Sequence, residues 1–217
     1  MIPTFEEYLD RLGRHAGQPG TLIDIGAASG FFLSLARRRG WRVSGVEPSD
    51  FASSLARDKG LDVRTGTVEN CHFAAGAFDV VTMWDVIEHI PDPRRAIASI
   101  VSLLKPGGLI AINTPDSTCL LARLLKTKWH LVVPPEHLNL FSRESLRLLL
   151  AKHGLEVLEA ATIGKTFTVQ YVLMTLAHWQ RLHVFDAASE AVRGRRLGQW
   201  KISLNLRDNV FMIARKK

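Results

Sequence analysis

The hydrophobic and polar positions of this chain follow two periods in alternation. Short β-rich runs stand at 21–25 (TLIDI), 42–47 (RVSGVE), 61–65 (LDVRT), 78–84 (FDVVTMW) and 109–114 (LIAINT). Segments with apolar residues at helical spacing separate them, at 30–39, 50–59 and 94–104, with a further helix at 5–15 ahead of the first strand. Gly40 and Gly60 stop two of these helices, and Pro93 opens another. Strands alternating with helices predict an α/β fold with a mainly parallel sheet, and the β-branched run at 78–84 reads as its buried centre.

Beyond the fifth strand the pattern loosens. A short helix is predicted over 119–126, an irregular loop over 129–141, and a helix over 143–153 capped by Ser142 and stopped by Gly154. Strands follow at 156–162 and 209–215, and the segment 165–207 between them is expected to form a helical insertion near the ligand-binding end. The 217 residues fit one domain, 1–217, with residues 1–20 carrying the N-terminal helix.

Charge changes this picture little. Lys and Arg number 28 against 21 for Asp and Glu, a formal net charge of +7. The basic residues form short clusters, of which the first, Arg37 to Arg39, sits at a helix C-terminus, where cations are favoured. Cys71 and Cys119 lie far apart without CxxC spacing, so reduced thiols and a cytoplasmic location are expected. The most apolar stretch, FTVQYVLMTLAHW, falls short of the roughly 20 residues of a membrane span.

The candidate chemistry starts at LIDIGAASGF, where the first strand ends in a turn of tiny residues led by Asp24. Such a turn lets backbone approach a ligand, and the following helix offers free N–H groups. Gly26, Ala28 and Gly30 are spaced two apart, which is not the G-x-G-x-x-G of dinucleotide folds. Glu47 ends the second strand, where a carboxylate can accept two hydrogen bonds from a ribose diol.

With LIDIGAASG, GVEPS, FDVVTMWDVIEHIPDP, LLKPGGLIAINTP and PPEHLNLFSRESLRLLLAKHGL in place, the sequence resembles the class I S-adenosylmethionine (SAM) dependent methyltransferases, in particular the ubiquinone-pathway and small-molecule or sugar O-methyltransferase group. The resemblance implies a Rossmann-like, mostly parallel seven-stranded sheet flanked by helices. It implies SAM as cofactor and S-adenosylhomocysteine as product, with Asp24 and Gly26 shaping the methionine pocket and Gly30 admitting the cofactor backbone. Glu47 would hold the ribose, Thr67, Val68 and Glu69 would border the adenine, and Met83 and Trp84 would close the other side. Two departures from the family pattern are Ala28, where glycine is commoner, and Thr67, where an acid is often found.

Methyl transfer to a hydroxyl needs a base, and His89 in DVIEH and His137 in PPEHL are the candidates, with Asp85 beside them. Asp85, Glu88, His89 and His137 also form a mixed carboxylate and imidazole set. Hard cations rarely prefer imidazole, so no metal is expected. The expected acceptor is a hydroxyl of a small molecule, sugar or lipid-linked precursor. The alternatives are an RNA 2′-O-methyltransferase, suggested by the basic balance, and a SAM-binding module without catalysis. NTPD at 113–116 differs from the N-P-P-Y motif of amino-group DNA methylases and disfavours chemistry on an extruded base.

Overall fold

The computed structural model describes residues 2–170, 192, 194, 200–204 and 207–217. A seven-stranded sheet organises the chain, in the order β3-β2-β1-β4-β5-β9-β6. Strands β1 (Thr21–Ile25), β2 (Arg42–Glu47), β3 (Asp62–Thr65), β4 (Phe78–Trp84) and β5 (Leu104–Pro115) pair in parallel. The last strand, β9 (Asn209–Lys216), runs antiparallel between β5 and β6 (Leu155–Ala161). The sheet is therefore mostly parallel, as the alternation of periods predicts, and Rossmann-like, as the family resemblance implies.

Period-two alternation divides each strand between two cores. On one face Ile23, Val81, Met83, Val210 and Met212 pack under α4 (Pro93–Leu103) and α6 (Arg143–Lys152). On the other, Leu22, Val80, Phe211 and Ile213 meet α1 (Ile2–Ala16), α2 (Phe31–Arg38) and α3 (Asp50–Arg57). Tyr8, Leu9 and Leu12 form the buried stripe of α1, each contributing about 1.5–3 kcal/mol if fully buried. At its C-terminal end, Arg11 and His15 both reach Glu159 on β6, with His15 Nε2 at 2.8 Å.

Local signals set the helix boundaries. Asp92 accepts from the backbone N–H of Arg94 and Arg95 at the start of α4, with Pro93 in the first turn, where its missing donor costs nothing. Ser142 and Ser145 form a reciprocal capping box on α6. The helix predicted over 119–126 is α5 (Leu120–Leu125), and beyond it Trp129 packs with Cys119 and Ala122 as the anchor of a small separate core.

The segment 165–207 departs from expectation at both ends. Its described ends are strands, β7 (Lys165–Thr168) and β8 (Lys201–Leu204), paired antiparallel in a second, two-stranded sheet. The amphipathic helix expected between them lies outside the described residues.

Candidate functional site

A cavity of about 870 Å³ opens over the C-terminal ends of β1, β2 and β4. This is the end where parallel α/β sheets bind ligands, because the loops leaving neighbouring strands diverge there. Its floor is the turn after β1. Gly26 and Ala27 both donate to Val46 O, at 2.8 and 3.0 Å, which folds the turn back on β2. Gly26 has φ +77°, and a Cβ there would overlap Val86 Cγ2 on the facing wall. A left-handed conformation and lack of space together require glycine at this position.

Glu47 fixes the same turn from the other side. Its Oε2 accepts from Ala28 N at 2.8 Å and its Oε1 from Ser49 N at 2.9 Å, while the residue still lines the cavity. Each carboxylate oxygen has a further lone pair to offer a ligand. Ala28 adopts φ +46°, so the residue that replaces the commoner glycine sits in a strained conformation. Gly66, Thr67, Val68, Glu69 and Asn70 form the adjoining wall.

Gly26, Ala28, Glu47, Thr67, Val68 and Trp84 line the cavity, whereas Asp24, Gly30 and Met83 lie behind it. Asp24 is buried beneath the turn and accepts from Thr82 Oγ1 at 2.6 Å. Burial pushes its carboxyl well above the ordinary range, the Thr82 bond opposes this, and the Glu47 charge reinforces it. Gly30 starts α2 at φ +74°, and a Cβ there would strike Leu61 and Ala56, so this glycine admits helix packing on α3. Met83 is fully buried in the core that also holds Ile23, Val81 and Met212.

Trp84 forms the wall toward α1. Its ring stacks on Tyr8 at 4.3 Å between centroids and meets Phe32 edge-on at 5.2 Å. Sequence reasoning missed Tyr8, which the sequence shows only as one apolar position of the first helix. Burial makes the Tyr8 hydroxyl less acidic, and the charges of Asp85 and Glu7 add to the effect.

The far end of the cavity holds the acids and histidines. Asp85 follows β4 directly at φ +54° and lines the cavity with His89. The short 3₁₀ turn Ile87–His89 buries Glu88, whose carboxylate accepts from Thr114 Oγ1 at 2.9 Å. Glu88 is raised to about 7, chiefly by burial with the Asp85 charge adding, against hydrogen bonding and His89. Its backbone oxygen accepts from Leu138 N and Asn139 N, which pins the loop 129–141 to this turn.

That loop brings His137 to His89, ring centroids 4.7 Å apart and edge to face. His89 Nδ1 lies 2.9 Å from Glu136 O, and His137 Nδ1 lies 2.7 Å from Leu131 O. A carbonyl only accepts, so each Nδ1 carries a proton, and in the neutral form of either ring the lone pair is on Nε2. Glu88, His89 and His137 offer donor atoms all within 4.8 Å of one another. The structure thus sorts the two histidines, with His89 on the cavity wall and His137 half-buried against it.

Comparison with known proteins agrees with this geometry. Residues 2–160 match a family model described as a methyltransferase domain. A ubiquinone biosynthesis O-methyltransferase of Caulobacter vibrioides is 34% identical over 174 residues, covering 74% of this chain and 66% of that protein. Its namesake in Hahella chejuensis is 35% identical over 114 residues, covering 49% of this chain and 48% of that one. The chain spans less than two thirds of the length of both relatives. Among solved structures, the geranyl diphosphate C-methyltransferase of Streptomyces coelicolor superposes with a TM-score of 0.64 at 17% identity, over 98% of this chain and 80% of that one. With its family model matched over most of its length and its seven-stranded sheet carrying the cavity at the expected end, the chain belongs to the methyltransferase-domain family as a class I member.

Proposed function

We propose that this protein is a SAM-dependent methyltransferase acting on a hydroxyl of a small molecule, sugar or lipid-linked precursor. The observation that carries the reading is the Gly26 turn held against Glu47 at the floor of the cavity. The residues fit the cofactor. Glu47 has lone pairs for a ribose diol, the Gly26 backbone lines the cavity where the amino-acid end can approach it, and Glu47, Glu69, Asp85 and Asp92 supply negative charge around a cation. At about 870 Å³ the cavity lies high in the ~300–1,000 Å³ range of small-molecule sites, with space for cofactor and acceptor together.

When bound, SAM supplies a sulfonium-borne methyl group that transfers as the cofactor departs as a neutral thioether. The chain's own contribution is alignment, exclusion of water and removal of a proton. Trp84, Val86 and Ile90 give the cavity apolar walls. His89 Nε2 takes the hydroxyl proton, its tautomer fixed by the Nδ1 bond to Glu136 O. Asp85 and the buried Glu88 favour the imidazolium that results. The same carboxylates repel a phosphate backbone, which weighs against an RNA acceptor. Cys71 and Cys119, both buried and free, suit a reducing compartment, the cytoplasm.

The clustering of Glu88, His89 and His137 favours a second reading, in which these three residues hold a divalent cation that would act as a Lewis acid toward the acceptor oxygen. Two imidazoles and one carboxylate suit a borderline ion better than Mg²⁺. Chelator separates the readings, since base catalysis survives it and a metal route does not.

The cofactor assignment is tested by calorimetry with SAM. Glu47→Ala should weaken binding by about 1.5–3 kcal/mol, the value of hydrogen bonds to a charged group, and unchanged affinity would remove Glu47 from the site. Methyl-labelled SAM with fractionated metabolites and glycans then identifies the acceptor.

A further inference from the structure

Asn113, near the end of β5, makes an unusual pair of bonds to one residue. Its backbone oxygen accepts from Asp85 N at 2.8 Å, and its Nδ2 donates to Asp85 Oδ1 at 2.6 Å. Asn113 is fully buried, and its other side-chain atom, Oδ1, has no hydrogen-bond partner among the described residues. A buried carbonyl without a donor costs stability, and a leucine, with the same number of side-chain heavy atoms, would avoid that cost beside Ala111 and Ile112. Rotating the amide would bring Oδ1 against the Asp85 carboxylate, so electrostatic repulsion fixes the orientation that leaves Oδ1 unpaired.

Asp85 is itself costly. It is a non-glycine residue at φ +54°, and such strain persists only where neighbours over-determine it. The main-chain bond from Asn113 closes this turn, and the side-chain bond aims the carboxylate. Among the titratable groups facing Asp85 are Tyr8 from α1 and Glu88 from the 3₁₀ turn, both of which respond to its charge. Its carboxylate thus lies among the cavity wall, the first helix and the acid next to His89.

We propose that Asn113 is a positioning residue for methyl transfer, holding the Asp85 carboxylate in its strained turn so that its charge is directed at the acceptor end of the cavity. The consequence for catalysis rests on the reading of the site as a methyltransferase; the geometry does not. Strain in Asp85 and an unpaired atom in Asn113 are then two costs with one function, an arrangement that stability alone does not favour.

The test compares wild type, Asn113→Leu, Asp85→Ala and the double variant. Asn113→Leu should lower kcat about 10²-fold, the effect of a misplacement near 1 Å, with the KM for SAM unchanged and the melting temperature unchanged or raised. The double variant should be no slower than Asp85→Ala, since Asn113 acts through Asp85. Normal turnover in Asn113→Leu overturns the proposal, as does a full multiplicative loss in the double variant. If Asn113→Leu fails to fold, Asn113→Ala takes its place. Turnover is read with methyl-labelled SAM and metabolite fractions. Should wild type bind SAM yet methylate no fraction, the methyltransferase reading fails by itself, and crystal structures of wild type and variant decide the positioning. An Asp85 carboxylate displaced in the variant supports it, and an unmoved one overturns it.

Discussion

The two ends of the cavity are built by different means. The floor, from Gly26 to Glu47, is made of backbone: a glycine that cannot carry a Cβ, amides folded onto Val46 O, and one carboxylate that ties the turn to β2. The far end is made of side chains gathered from separate segments, with His137 brought to His89 by a loop pinned on Glu88 O, and Asp85 held from β5. A backbone cradle tolerates little change because one atom fills it. A side-chain cluster can be varied residue by residue, which is how one fold serves many acceptors.

Gly26→Val tests this contrast most severely. The branched side chain meets Val86 in a left-handed conformation, so SAM binding should be lost in calorimetry while circular dichroism retains the α/β signature. A folded variant with normal affinity would show that the turn serves packing alone. At the other end, His89→Ala should lower turnover roughly 10²–10⁴-fold with SAM affinity nearly unchanged. His137→Ala should cost less, since His137 stands behind His89. Equal collapse of both variants, matched by chelation of wild type, would favour the cation over the base.

Glu88 gives a smaller effect with a defined sign. Its carboxyl titrates near 7 in the fold against 4.5 unfolded. Between these values the unfolded chain releases its proton first, so stability falls as pH rises from about 4.5 to 7 and stays at the lower level above. The loss is about 3 kcal/mol at most. In chelator, Glu88→Gln should therefore raise the melting temperature near pH 8 and confer no gain at pH 4.5. Melts with equal differences at both pH values would contradict the burial of an ionising acid. The smallest effect belongs to Ala28→Gly. Relief of the left-handed strain, offset by glycine's greater freedom when unfolded, should stabilise by about 1 kcal/mol or less in denaturant melts, with SAM binding intact.

The contrast also explains what the sequence revealed. Strands β1, β2 and β4 match their apolar runs residue for residue, because period and flanking glycines are local signals. The floor was legible for the same reason, as glycine spacing and a strand-end acid lie within 25 residues. Gly30 and Met83 were assigned to the ligand by the family pattern, yet sequence carries no mark to distinguish a residue lining a cavity from one packed behind it. Asn113 and Tyr8 were not legible at all. One is a polar residue near the end of an apolar strand and the other an ordinary aromatic in an amphipathic helix, and both acquire meaning only from partners 28 and 76 positions away. The short β7 and β8 pair escaped because four-residue strands leave no measurable period.

The position of β9 bears on how the molecule is made. Among the described residues it is the only strand that joins β6 to the rest of the seven-stranded sheet, and it pairs with β5, about a hundred residues earlier in the chain. During synthesis the parallel strands can assemble as they emerge, but β6, though α6 can pack on it, lacks its strand partner until residues 209–216 have left the ribosome. Closure through so distant a pairing carries a large loop entropy and makes the final step slow. The nascent domain is therefore most exposed to misassociation in the interval between making β6 and making β9.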